Sequence, residues 1–149
     1  MRHLLILILL LAAPLSAQEA PQPIGPEILQ AETHALDEFL WLSRPLVIFA
    51  DSPRDPRFLQ QMEYLETRPE DLAARDVVVI LDTSPDTLSP IRETLRPRGF
   101  SMVLLGKDGQ IYLRKSTPWH VREISRSIDK MPIRIQELND SRQYTPPPK

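Results

Sequence analysis

The sequence predicts a small α/β sandwich around a central mixed sheet, preceded by an export signal. Two compact apolar runs, Leu46–Ala50 (LVIFA) and Val77–Leu81 (VVVIL), read as buried strands. The residues between them, with Phe58, Met62 and Leu65 on one helical face, read as a crossover helix, and strands linked in this way pair in parallel. Lys107-Asp108-Gly109 then separates two further short strands, a hairpin that adds an antiparallel edge.

From the N-terminus, Arg2 is followed by an unbroken apolar run, Leu4–Ala13, then Pro14 and the small pair Ser16-Ala17. This is the layout of a cleaved secretory signal over residues 1–17. The run is shorter than the roughly 20 residues that a spanning helix needs. Cleavage removes one of 18 basic residues, Arg2, and none of the 20 acidic ones, moving the net charge from -2 to -3. Residues 18–34, polar and proline-rich at their start, read as an extended lead. Residues 35–134 read as the folded domain, and 135–149, ending in QYTPPPK, as a flexible proline-rich tail.

Within the domain, Ala35–Leu42 has the spacing of a short amphipathic helix stopped by Pro45. Trp41 there, and Trp119 later, are expected to pack into the core. Asp55 before Pro56 is an N-cap followed by a first-turn proline and opens a helix to about Thr67, with Pro69–Ala74 as a further turn. Ser89-Pro90 repeats that start for a helix ending before Pro97. Met102–Leu105 and Ile111–Leu113 form the hairpin, and Pro118–Lys130 is the last helix. The predicted order is α-β-α-β-α-β-β-α.

That order resembles the thioredoxin fold. Leu46–Ala50 with its following loop resembles the strand that carries the redox motif, and Gly99–Gly109 resembles the segment with the cis-proline and final hairpin. Both hallmarks are replaced: Ser52-Pro53-Arg54-Asp55-Pro56 stands in place of CxxC, and Ser101 in place of the proline. A closer resemblance is to an exported bacterial family of unknown function, domain of unknown function 4174, which has relatives in animal secreted matrix proteins. Leu36-Asp37-Glu38-Phe39-Leu40-Trp41, Arg44–Ala50, Ser52-Pro53 with Asp55-Pro56-Arg57, Arg75–Val79, Gly106–Gly109 and Ile128–Arg134 carry it. The resemblance implies a thioredoxin-like fold and brings no catalytic residues, because the family has none assigned.

Several chemistries fail at the level of composition. Disulfide exchange and cysteine-type peroxidase chemistry need a thiolate, and the chain has no cysteine. The near-balanced charge gives no field to attract nucleic acid or an anionic membrane. His34 and Glu38 share a spacing of four, but a metal needs more ligands than two, so no metal site and no cofactor are expected. Ser52 and Ser101 are expected near each other, yet no base or Gly-x-Ser-x-Gly elbow accompanies them.

Two groups remain as candidate sites. The loop at the C-terminal end of the first strand offers Ser52, Arg54 and Arg57, with Ser101 opposite, for an anionic ligand. The plainer role of that loop is to cap and stiffen the helix start. Arg92 and Arg96, with Arg98, Arg114 and Lys115 near them in the fold, would dock an acidic partner, or form an ordinary charged helix face. The leading expectation is a non-catalytic, periplasmic or secreted binding module for a protein or peptide, without stable membrane insertion after signal cleavage. The alternatives are a small-anion binder or hydrolase using the Ser52–Arg57 loop, and an envelope protein held by an uncleaved Leu4–Ala13 segment.

Overall fold

The structure, a computed structural model, describes residues 24–143. The signal segment 1–17, the start of the lead and residues 144–149 of the tail lie outside the described residues. Five strands form one sheet: β1 Glu27–Gln30, β2 Arg44–Phe49, β3 Val77–Asp82, β4 Ser101–Leu105 and β5 Ile111–Lys115. Their order is β1-β3-β2-β4-β5. β2 pairs in parallel with β3 from Arg44↔Val77 to Phe49↔Asp82. β4 runs antiparallel to β2, with Phe49 opposite Ser101, and β5 closes the hairpin. The mixed sheet is as expected. The crossover rule holds for β2 and β3 but not for β4, which follows a helix and still enters antiparallel.

Among the described residues the α-helices are α1 Pro56–Glu66, α2 Pro69–Ala73 and α4 Val121–Ile128, which pack on one core cluster, α3 Pro90–Leu95, which packs on the other, and α5 Pro132–Gln143. All six residues of β2 are buried, which explains its unbroken apolar run. Alternate residues of each strand feed opposite faces. Leu46 and Ile48 pack with Phe58, Leu72, Phe100, Ile124 and Ile128 in one cluster. Val47 and Phe49 pack with Ile80, Ile91, Leu95 and Val103 in the other. Asp55 accepts a hydrogen bond from Arg57 N at 2.9 Å, and Ser89 Oγ one from Arg92 N at 3.0 Å, so both cap-plus-proline starts form as expected. Gly109 takes φ 76° in the hairpin turn, the left-handed conformation that the turn was expected to need.

Four features differ from the sequence reading. First, residues 27–30 of the lead form the edge strand β1, paired in parallel with β3, and Ala31 behind it is fully buried. Second, Ala35–Leu42 is not an α-helix. It makes a 3-10 turn at Leu36–Phe39, and Trp41 then takes φ 63° as its N–H donates to Lys107 O at 2.7 Å. That tertiary bond turns the chain out of helical geometry and leaves Trp41 67% exposed, outside the core. Trp119 is partly buried against the core from the connection before α4, not from within a helix.

Third, the last predicted helix is shorter than Pro118–Lys130: α4 starts at Val121 and stops at Ile128. Fourth, α5 continues to Gln143, so residues 135–143 of the expected tail are helical. No residue of α5 is buried, and its docking is largely ionic. Glu137 lies 3.0 Å from Arg44 Nη2 and 2.9 Å from Lys107 Nζ. Asp76 joins Lys107 at 2.8 Å, and Asp129 joins Arg75 at 2.8 Å. Burial opposes the charge on Glu137, but hydrogen bonds from Lys107 and Arg44 outweigh it and hold its pKa below the usual carboxylate value. The hydrogen bond from Arg75 does the same for Asp129. Burial works against Lys107 too, yet Asp76 and Glu137 raise its pKa overall.

Candidate basic pocket beside β4 and β5

The loop after β2 is built by its own side chains. Ser52 Oγ accepts from Arg54 N at 3.1 Å, and Asp55 N donates to Ser52 O at 3.1 Å. Arg57 folds back on the cap: its Nε and Nη2 donate to the two oxygens of Asp55 at 3.2 and 2.9 Å. That pairing holds the Asp55 carboxyl below its usual range and pushes the Arg57 pKa up. The fork of Arg57 is therefore already occupied by a carboxylate. Its guanidinium carbon also sits 5.6 Å from the centre of the Phe100 ring. Arg54 is exposed and forms no ion pair among the described residues.

The second expected group separates into two parts. Arg92 faces inward and is 8% exposed. It donates through Nε and Nη2 to Asp82, and its Nη2 also reaches the carbonyls of Ala50 and Asp82. Arg92 is thus an interior residue and is removed from the expected docking surface. It failed as a candidate because its spacing to Arg96 says that they share a helix face, not that the carboxylate of Asp82 lies beneath one end of it.

The remaining cations converge. Arg96, Arg98, Arg114 and Lys115 line one pocket of about 460 Å³ at the ends of α3, β4 and β5. Its apolar part is Leu95 and Phe100, and its hydroxyls come from Ser101 and Ser116. Arg114 Nη2 donates to Leu95 O at 3.0 Å, so the carbonyl end of α3 anchors this arginine. Lys115 Nζ stands 4.2 Å from the Trp119 ring centre. None of the four cations lies within 4.0 Å of a carboxylate among the described residues.

The backbone entering the pocket is unusual. Arg96 ends α3 at φ 47°, ψ 60°, a left-handed position at which glycine is the common residue. Gly99 follows at φ 58°. A Cβ built on Gly99 would sit 3.7 Å from Asp51 Oδ2 and 4.0 Å from Arg57 Nη2. The segment 98–101 is therefore where the loop after β2 and the basic pocket meet, with Phe100 common to both. Ser101, 6% exposed, belongs to the pocket. Ser52 bonds within its own turn, and no hydrogen bond joins it to Ser101 among the described residues.

A second basic pocket, of about 440 Å³, has Arg68, Arg122, Arg126 and His120 in its wall. There Glu123 supplies a carboxylate, and Arg68 is paired with Asp71 at 3.4 Å. The His120 ring stacks on Tyr64 at 3.7 Å. His34 and Glu38 are hydrogen-bonded at 3.0 Å, and no group of three metal-ligating side chains gathers among the described residues.

A family model described as a domain of unknown function (DUF4174) matches residues 35–137. Solved structures share the fold at low identity. A chloroplastic thioredoxin z is 21% identical, with a TM-score of 0.53, over 73% of this chain and 96% of that one. The reduced Plasmodium vivax 2-Cys peroxiredoxin is 15% identical, with a TM-score of 0.53, over 70% and 84%. Plasmodium yoelii Prx1a is 15% identical, with a TM-score of 0.51, over 76% and 84%. No curated protein matches the chain. These likenesses establish a thioredoxin-like α/β fold.

Proposed function

The chain belongs to the DUF4174 family, and from that premise we propose that it is an exported, non-redox, thioredoxin-like binding module whose partner is a protein or peptide. The chain has no cysteine and so no thiolate for exchange. The export reading rests on the signal-like residues 1–17. One observation supports binding above all: Arg96, Arg98, Arg114 and Lys115 gather in one pocket without a carboxylate partner among the described residues. Like charges brought together without counter-charge cost free energy in the isolated domain, and an acidic partner relieves that cost. The site is carried on the ends of α3, β4 and β5, so rigid elements aim it.

The small-anion or hydrolytic reading on the Ser52–Arg57 loop is less well supported, since Asp55 already fills the Arg57 fork. The test is affinity capture from a native periplasmic extract with the mature domain from Gln18 as bait. Arg96→Glu with Arg114→Glu serves as a charge-reversed bait, its folding checked by circular dichroism. A saturable partner held by the wild-type bait and lost by the variant is expected. The same partner on both baits, or none on either, would contradict the proposal.

A further inference from the structure

Resting on that reading of the chain as a binding module, we infer that the pocket holds an acidic peptide segment of the partner, with carboxylates on Arg96, Arg98 and Arg114. The pocket's volume of about 460 Å³ falls within the range of about 300–1,000 Å³ typical of ligand sites and exceeds what one inorganic anion fills. Its wall carries four cations spread over the end of α3 and β5, which suits a chain bearing several carboxylates better than a single bare anion. Guanidinium groups recognise carboxylates in paired, planar geometry. The second basic pocket lacks this character, because Glu123 lies in its wall.

Arg96 allows the pocket's charge to be tested apart from the fold. A non-glycine residue in the left-handed region is strained, and glycine would relieve it. Its side chain forms no ion pair among the described residues, so its charge serves the fold only through the carbonyl end of α3. Arg96→Gly therefore separates the two contributions. The fold keeps or gains stability while the pocket loses one cation.

The experiment is calorimetric titration of the mature domain with the capped peptide acetyl-Glu-Leu-Glu-Glu-amide. The glutamine counterpart, acetyl-Gln-Leu-Gln-Gln-amide, and inorganic pyrophosphate are run alongside. The acidic peptide should bind at least about tenfold tighter than the glutamine peptide. That preference should fade as salt rises from about 0.05 M to about 0.5 M. Arg96→Gly should weaken it by about tenfold with a melting temperature equal to or above wild type, and Arg114→Gln should weaken it as well. Equal binding of both peptides, or binding unchanged in Arg96→Gly and Arg114→Gln, would overturn the inference. Pyrophosphate bound tightly with no peptide bound would replace it with a simple oxyanion site. A partner captured and lost on charge reversal while the acidic peptide fails would leave the binding module standing and remove only the acidic-peptide assignment.

Discussion

Arg92 Nη2 lies 2.6 Å from Asp82 Oδ1, and Arg92 Nε lies 3.0 and 3.1 Å from the two carboxylate oxygens, inside the fold. Ser89 Oγ donates to the same carboxylate at 2.9 Å while capping α3. The pair thus ties the end of β3 to the first turn of α3. Removing one member leaves a buried charge without its partner, which costs about 3–5 kcal/mol. Arg92→Ala should lower stability by that amount in urea denaturation. A loss below about 1 kcal/mol would mean that the pair is solvated.

The α5 contacts predict a pH response with a definite sign. Glu137 and Asp129 have folded pKa values below their usual ones. Their contribution to stability is present above the ordinary carboxylate pKa and is lost as pH falls through the lowered folded values. Lys107 has a raised folded pKa, so its contribution holds below its ordinary value of 10.5 and fades as pH rises through the folded one. Melting temperature should fall on acidification below about pH 5, and less steeply in Glu137→Gln. An identical acid slope in that variant would remove Glu137 from the linkage.

Arg44 gives α5 a second test. Its side chain is fully buried and relies on Glu137 and the carbonyl of Arg75 for partners. Glu137→Ala should cost about 2 kcal/mol, because a buried donor loses its acceptor. The expected readout is a shifted denaturation midpoint with an unchanged slope. An unchanged midpoint would show that α5 is not coupled to the sheet.

Gly109 is required by its backbone. At φ 76°, an added Cβ would lie 2.8 Å from Leu40 Cδ2. Gly109→Ala should cost about 1–2 kcal/mol from the left-handed conformation alone. Thermal denaturation within error of wild type would contradict this.

Much of the fold was legible because local chemistry and tertiary structure agree. Leu46–Phe49 and Val77–Ile80 are buried in the sheet, and Asp55-Pro56 and Ser89-Pro90 start helices by capping. β1 was not legible because four edge residues that are mostly exposed show neither alternation nor an apolar run. The turn at Trp41 was hidden because its cause is a hydrogen bond to Lys107, far along the chain. Within the candidate sites, sequence spacing grouped Arg92 with Arg96, while burial and the Asp82 carboxylate separate them. Arg96, Arg98, Arg114 and Lys115 were visible as a set, and their convergence without an ion pair among the described residues required the fold.

The most direct measurement is amide chemical-shift mapping of the isotope-labelled mature domain as a captured partner, or its binding fragment, is added. Shifts should concentrate at residues 95–101 and 114–116 and reverse when salt is raised. Shifts centred instead on the second basic pocket at Arg122 and Arg126 would contradict the account.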